Sequence, residues 1–159
     1  MELILMRHAR AEDSHPDGDA QRALTARGFE QAQRQALRMK HSELLPEIVI
    51  SSPLVRARQT AETFCQTAKL PGPLIQSWLA CGMNPESALR ELAGLAEFNR
   101  VALVGHEPDL SQLLAHLCGC ASPSIRMRKA CIALLQLNAS RRYGTLELLL
   151  PAKGGLGAD

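Results

Sequence analysis

The sequence has few aromatic residues and almost no excess charge. One Trp, one Tyr and three Phe make up 3% of its 159 residues, too few to form a surface on which nucleic-acid bases stack. Its 18 basic and 16 acidic residues leave a formal charge of +2, well short of the basic excess of general nucleic-acid binders. We therefore expect no nucleic-acid partner.

Long hydrophobic runs are also missing. No apolar stretch approaches the roughly 20 residues of a membrane span, and the stretch before Arg7 is too short for a signal-peptide core. We expect a cytoplasmic protein with no membrane partner. The five cysteines are an odd number without a secretory pattern, which favours reduced thiols packed as small hydrophobic groups. The "HLCGC" stretch, His116 to Cys120, lacks the paired Cys-x-x-Cys spacing of a zinc site, so no metal is expected there.

Short apolar runs alternate with helical patterns along the chain, which is typical of α/β architecture. The length and the 46% hydrophobic content predict one domain over residues 1–150, followed by a flexible tail over 151–159. Three continuous apolar runs predict the central strands of a parallel sheet. Two further strands are predicted near the end. The five strands are Leu3–Met6, Ile48–Ile50, Val101–Val104, Cys131–Leu137 and Thr145–Leu150.

Four helices are predicted from apolar residues at three-to-four spacing and from their capping residues. Between the first strand and the first helix lies a long polar loop, Ala9 to Leu24, which is either a functional lid or a mobile surface segment. The helices are predicted from the Thr25 cap to about His41, from Pro53 to before Pro71, from Pro85 to Phe98, and from Pro108 to Leu117.

Polar residues of a restricted kind follow the three central strands. Arg7 and His8 end the first, "SSPLVRARQT" with Arg56 follows the second, and "GHEPDLS" with His106 follows the third. Ligands of open parallel sheets bind at the carboxyl ends of the strands, so these segments should meet in one crevice. Arg56 lies near the positive end of a helix dipole, where an anion would offset its charge. Guanidinium groups and imidazoles together suit a phosphoryl group.

His8 has the features of a nucleophile in such a pocket. A neutral imidazole attacks phosphorus when its other nitrogen donates to a backbone carbonyl, which fixes the tautomer. Arg7 and Arg56 would disfavour the imidazolium and help to keep His8 neutral. Together with His106, they would stabilise the charge on the phosphoryl oxygens during transfer. Because the arginines neutralise that charge, the scheme needs neither a metal nor another cofactor.

Four segments resemble the ordered motifs of the histidine phosphatase superfamily: Arg7-His8 after an apolar strand, "LTARGFEQA", "SSPLVRARQTAE" and "VALVGHEPDLS". The compact size and "RKACIALLQL" are most similar to its phosphohistidine phosphatase (SixA-like) branch. The resemblance implies a phosphoglycerate mutase-like fold, a three-layer α/β/α sandwich on a mostly parallel sheet. It also implies a phosphoric hydrolase in which His8 is phosphorylated and Arg7, Arg56 and His106 complete the phosphate pocket. Ala9 stands where many members have glycine.

The choice of substrate depends on a general acid. An alkoxide leaving group benefits from a proton donor, whereas the imidazole of phosphohistidine leaves more easily. Glu107 is the candidate donor, although it is as readily a helix cap, and Glu86 is expected at the start of a helix. We therefore favour phosphohistidine on a signalling protein as substrate. A small phosphate ester, cleaved by a phosphomonoesterase or mutase, is the alternative, and a non-catalytic phosphate-binding module is the third.

The sequence has two further basic features. "RMRK", Arg126 to Lys129, is either a basic lip for an acidic or phosphorylated partner or a solvated connection. Arg58, two residues after Arg56, is expected to point away from the site as a surface arginine.

Overall fold

A six-stranded sheet forms the centre of the computed structural model, which describes residues 1–121, 124–138, 140 and 142–152. The strand order is β3-β2-β4-β1-β5-β6, and β5 runs opposite to the other five. The three strands predicted to be central, β1, β2 and β4, lie side by side in parallel. The strands are β1 Glu2–Arg7, β2 Ile48–Ser51, β3 Leu74–Ile75, β4 Arg100–Gly105, β5 Ile132–Leu137 and β6 Gly144–Leu150.

Helices cover both faces of the sheet. Side chains of β1 alternate between the two cores, with Ile4 in one and Leu3 in the other. Phe64 of the second helix packs in the core of Ile4, and Leu113 of the fourth packs in the core of Leu3. The predicted α/β/α sandwich is therefore confirmed. The helices are α1 Ala26–His41, α2 Val55–Ala68, α3 Pro85–Ala93 and α4 Asp109–Leu117, with short 3-10 turns at Asp19–Gln21 and Ser77–Leu79. No helix among the described residues is long and apolar enough to cross a membrane.

The start of α1 is fixed by local contacts. The Thr25 hydroxyl oxygen accepts a hydrogen bond from the Gly28 amide at 3.2 Å, which confirms the predicted cap. A Cβ atom at Gly28 would overlap the carbonyl oxygen of Arg10, so only glycine allows the helix to approach the loop after β1 this closely. The "LTARG" segment thus anchors α1 beside the end of β1.

Three predicted helix boundaries were wrong. The fourth helix begins at Asp109 rather than Pro108, which is its cap. The second helix begins at Val55 rather than Pro53, because Leu54 has an extended backbone and forms the cap. The third helix ends at Ala93 rather than Phe98, and turns follow it. Strand β3 was not predicted, because it contains only Leu74 and Ile75, both exposed, and shows no apolar run.

Cysteines and the carboxyl-terminal residues only partly follow the expectation. All five cysteines are free; Cys65 and Cys131 are buried as predicted, whereas Cys81 and Cys120 are exposed. Ala152 is buried, and the Pro151 carbonyl accepts a hydrogen bond from Nη1 of Arg38 at 2.7 Å. The rest of the predicted flexible tail, 153–159, lies outside the described residues, as do residues 139 and 141 between the last two strands.

Candidate active site

The carboxyl ends of β1, β2 and β4 bring the two predicted histidines together. Arg7 pairs with Gly105 in the register of β1 and β4, and the amide of His8 donates to the Gly105 carbonyl at 3.0 Å. The imidazole rings of His8 and His106 consequently lie side by side, with centroids 5.3 Å apart and planes at 52°. Residues almost one hundred positions apart thus meet at one edge of the sheet.

His8 is held in one orientation. Its Nδ1 lies 2.8 Å from the Ala9 carbonyl oxygen, the contact that places the proton on Nδ1 and the lone pair on Nε2. The side chain is buried, and burial is the main cause that lowers its pKa to about 3. The charges of His106, Arg56 and Arg7 lower this pKa further, while the Ala9 carbonyl acts in the opposite direction. His8 is therefore a neutral imidazole at physiological pH.

Ala9 belongs to the frame of the site. Its side chain is fully buried, so the structure accommodates a Cβ atom directly after His8. The Ala9 amide donates to the Thr60 hydroxyl oxygen at 3.0 Å, and that hydroxyl donates to the Arg56 carbonyl at 2.6 Å. These two bonds tie the backbone beside His8 to the first turns of α2.

His106 contacts a residue that the sequence did not single out. Its Nε2 lies 2.7 Å from the Ser52 hydroxyl oxygen, and this hydroxyl also accepts a bond from the Leu54 amide at 3.3 Å. Burial, followed by the charge of Arg56, lowers the pKa of His106 to about 4. Ser52 is the first residue after β2, and this position at the same sheet edge is the sequence signal that could have identified it as a site residue.

Arg56 is buried and already faces an anion. Its Nη1 donates to the backbone carbonyl of Asp19 at 2.7 Å, and its Nη2 donates to the Asp19 carboxylate at 3.0 Å. Arg22 donates to the other oxygen of that carboxylate at 2.7 Å. The hydrogen bond from Arg22 is the largest cause that lowers the Asp19 pKa, so this side chain stays ionised. Asp19 lies in the long loop after β1 and was not predicted as a site residue.

Arg7 is held through a chain of hydrogen bonds. Its Nη1 donates to the Met127 carbonyl at 2.9 Å, and the Met127 amide donates to the Ser111 hydroxyl oxygen at 3.2 Å. The Ser111 hydroxyl in turn donates to Oε2 of Glu107 at 2.5 Å. Glu107 therefore contacts the helix that follows it, α4, and its carboxylate holds Ser111, which in turn supports Met127 beside Arg7.

Other acidic residues considered from the sequence have structural partners. Glu86 lies in the first turn of α3, 3.4 Å from Nε2 of His116. Asp109 is buried, and its carboxylate accepts hydrogen bonds from the amides of Gly82 at 2.8 Å and Met83 at 3.2 Å. Its role is to fix the loop before α3.

Arg58 is exposed and pairs with Glu62 at 3.6 Å, so it does not line the site, as expected. Among the residues that the structure describes, no group of three or more His, Cys, Asp or Glu side chains is arranged to hold a metal ion.

Comparison with known proteins identifies the family. The model of the family "Histidine phosphatase superfamily (branch 1)" matches residues 3–78. An uncharacterized protein of Picosynechococcus sp. is 34% identical over 151 residues, which cover 89% of this chain and 88% of that protein.

Solved structures agree in fold. The protein histidine phosphatase SixA, in a complex with tungstate, aligns with a TM-score of 0.88 and 26% identity over 96% of this chain and 97% of its own. The alpha-ribazole phosphatase of Shigella flexneri aligns with a TM-score of 0.75 over 99% of this chain and 100% of its own; at 22% identity, that likeness concerns the fold alone. The fold is thus the phosphoglycerate mutase-like α/β sandwich of phosphatases. The chain belongs to the histidine phosphatase superfamily.

Proposed function

We propose that this chain is a metal-independent phosphatase that acts through a phosphohistidine at His8. The observation that carries the proposal is the Nδ1 contact of His8 with the Ala9 carbonyl at 2.8 Å, in a ring whose pKa is lowered to about 3. Nε2 is then a neutral nucleophile at physiological pH. It attacks phosphorus as the bond to the leaving group breaks, and water subsequently cleaves the P–N bond and releases phosphate.

Stabilising the charge on the transferring phosphoryl group is the role we assign to Arg7, Arg56 and His106. Rigid donors that face the phosphoryl oxygens stabilise the transition state more than the bound substrate. Arg7 is fixed by Met127, and Arg56 is buried at the start of α2. In this structure Arg56 donates from Nη1 to the backbone carbonyl of Asp19 and from Nη2 to its carboxylate, and a phosphoryl group would take the place of these two oxygens.

Phosphohistidine on a signalling protein is the substrate we favour, and the expected cytoplasmic location stays a prediction. The imidazole leaving group needs less protonation than an alkoxide. The carboxylate of Glu107, the acid nearest to His106 in sequence, accepts a hydrogen bond from the Ser111 hydroxyl. SixA, to which the structure is similar over nearly its whole length, is a protein histidine phosphatase.

Small phosphate esters are the second candidate substrates, and Glu107 is the residue that would favour them. Glu107 directly follows His106 and its side chain is only partly buried. If Glu107 donates a proton to an ester oxygen, Glu107→Gln will lower ester turnover about 10²-fold and leave phosphohistidine turnover nearly unchanged. Glutamine retains an oxygen that accepts the Ser111 bond, so Arg7 keeps its support in this variant.

The mechanism is tested by trapping the phosphoenzyme. The protein is offered a phosphohistidine peptide and p-nitrophenyl phosphate, both carrying ³²P, and quenched rapidly. We expect an acid-labile, base-stable label in the wild type, no label and no turnover in His8→Ala, and a normal label in His41→Ala, which alters an exposed histidine. Full turnover in His8→Ala would contradict the mechanism. Phosphate binding without any label would favour the non-catalytic module.

A further inference from the structure

A basic pocket of about 320 Å³ opens beside the candidate active site. Arg7 lines this pocket and also belongs to the proposed phosphate site, so the two spaces share one wall. The lining cations come from three separate stretches of chain: the end of β1, the first turn of α1 and the lead-in to β5. They are Arg7, Arg10, Arg27, Arg126, Arg128 and Lys129, which together we call the basic groove.

The contact between α1 and the loop after β1 fixes the backbone positions of two cations of the basic groove. The Arg10 amide donates to Oε1 of Gln31 at 2.9 Å, and the Arg10 carbonyl accepts from the Thr25 amide at 3.0 Å. Gly28 lies against that carbonyl, and Arg27 is its neighbour in the same helical turn. The backbone that carries Arg10 and Arg27 is therefore fixed on both sides.

The segment 126–129 supplies three further cations of the basic groove. Met127 is fully buried and anchors the segment through its bonds to Arg7 and Ser111, whereas Arg126 and Arg128 on either side are exposed. Next to them, the amide of Ala130 donates to the His8 carbonyl at 3.2 Å. The end of this segment is thus held against the backbone of His8.

In the part of the chain that the structure describes, the groove cations other than Arg7 have no carboxylate partner of the kind that three other arginines have. Arg22, Arg56 and Arg100 each pair with a carboxylate within 3.0 Å. By contrast, within residues 1–121, 124–138, 140 and 142–152 no ion pair involves the groove cations other than Arg7. Burial is the main cause that lowers the pKa of Lys129; the charges of Arg7 and Arg10 lower it further, and Asp13 acts in the opposite direction. Holding such a cluster together is unfavourable unless an anion binds in it.

We propose that the basic groove binds a second anionic group of the substrate, a carboxylate or phosphate carried beside the phosphoryl group that reacts at His8. The proposal rests on the proposed function of the His8 site. Arginine forks bind both kinds of oxyanion through paired hydrogen bonds. Two sources supply this chemistry: acidic side chains that flank a phosphohistidine in a protein, or a second phosphate on a small ester.

Matched substrates separate the sources. One pair consists of phosphohistidine peptides flanked by glutamates or by glutamines, and the other of a hexose monophosphate and a hexose bisphosphate. Arg27→Gln/Arg126→Gln removes two groove charges, and Arg58→Gln is the control on the exposed face of α2. We expect the more anionic member of at least one pair to have a kcat/KM about three- to tenfold higher, the range that one or two partly exposed ion pairs supply.

The groove variant should reduce that ratio to near one, as should 0.5 M salt, while Arg58→Gln keeps it. A preference confined to the peptides identifies an acidic protein segment, and one confined to the esters identifies a small polyanion; each supports the groove. Equal kcat/KM within both pairs in the wild type overturns it.

A separate measurement of binding affinity makes the test independent of turnover. The affinities of all four substrates for His8→Ala are measured, with and without the two groove substitutions. A preference for the more anionic member that the substitutions abolish supports the groove, even if the wild type forms no phosphoenzyme and the proposed function fails. No preference in this arm overturns the groove, even if phosphoenzyme forms.

Discussion

The carboxylate of Asp19 lies 3.0 Å from Nη2 of Arg56, and the backbone carbonyl of the same residue accepts from Nη1 at 2.7 Å. A side chain of the long loop after β1 therefore pairs with a buried arginine of the candidate site. The charge of Asp19 also acts on His106, where it raises the pKa against the larger effect of burial. Under the proposed function, an incoming phosphoryl group has to compete with this internal anion for Arg56.

Asp19→Asn should strengthen anion binding. The substitution removes the charge that occupies Arg56 and repels a phosphoryl group, so the inhibition constant of inorganic phosphate should fall about three- to tenfold. Competitive inhibition of p-nitrophenyl phosphate hydrolysis measures it. Asp17→Asn, a highly exposed residue of the same loop, is the control and should leave the constant unchanged. Weaker phosphate binding in Asp19→Asn would mean that Asp19 holds Arg56 in place rather than competing for it.

Stability should decrease in mild acid because of the two buried histidines. Their pKa values are lowered to about 3 for His8 and about 4 for His106, against 6.5 for an ordinary histidine. The unfolded chain thus binds more protons than the folded one below pH 6.5, so the free energy of unfolding falls as the pH drops from 6.5 toward 4. At pH 5 the loss is about 2 kcal/mol for each ring.

Urea unfolding at pH 8 and pH 5 measures this loss. His106→Gln should lose about 2 kcal/mol less than the wild type between the two pH values, whereas His41→Gln, at an exposed position, should lose as much as the wild type. An identical loss in His106→Gln and the wild type would show that His106 does not carry the effect.

Ser111→Ala should impair catalysis without contact between Ser111 and the phosphoryl group. The substitution removes the acceptor of the Met127 amide and loosens the carbonyl that holds Nη1 of Arg7. We expect kcat/KM to fall about tenfold, with most of the loss in kcat if Arg7 acts in the transition state. Steady-state kinetics and a thermal unfolding curve check this. Ser42→Ala at an exposed helix end is the control; a loss confined to thermal stability would assign Ser111 a structural role only.

Gly28→Ala should destabilise the fold. Its new Cβ atom would overlap the Arg10 carbonyl, and relieving that overlap should cost about 1–3 kcal/mol. Gly72 has open space around the corresponding position, so Gly72→Ala should change the free energy of unfolding by less than about 0.5 kcal/mol. Denaturant unfolding of both variants compares them directly. Equal stability of the two would show that α1 shifts away from the loop at no cost.

Sequence reasoning succeeded where one local pattern specifies the structure. The continuous apolar runs of β1, β2 and β4 can only be accommodated in strands covered on both faces, and that placement brings Arg7, His8 and His106 to one edge. The Thr25 cap was equally local and is confirmed.

The parts that sequence reasoning missed depend on contacts between distant segments. Asp19 belongs to a polar loop with no periodicity, and only the fold brings its carboxylate to Arg56. The lowered pKa of His8 was attributed to neighbouring cations, but burial contributes most, and burial is a property of the packed structure. Ser52 and Ser111 are ordinary hydroxyl residues until their partners are known.

The reversed direction of β5 places the segment that leads into this strand beside the candidate site. Met6 pairs with Ile132, so β5 begins beside the end of β1, and the residues just before Ile132 must cross the rim of the site. Replacing the exposed side chains of Arg126 and Arg128 alters the charge of this rim and leaves in place the Met127 carbonyl that holds Arg7. The charge of the rim can therefore change independently of the backbone contacts that hold Arg7 and His8.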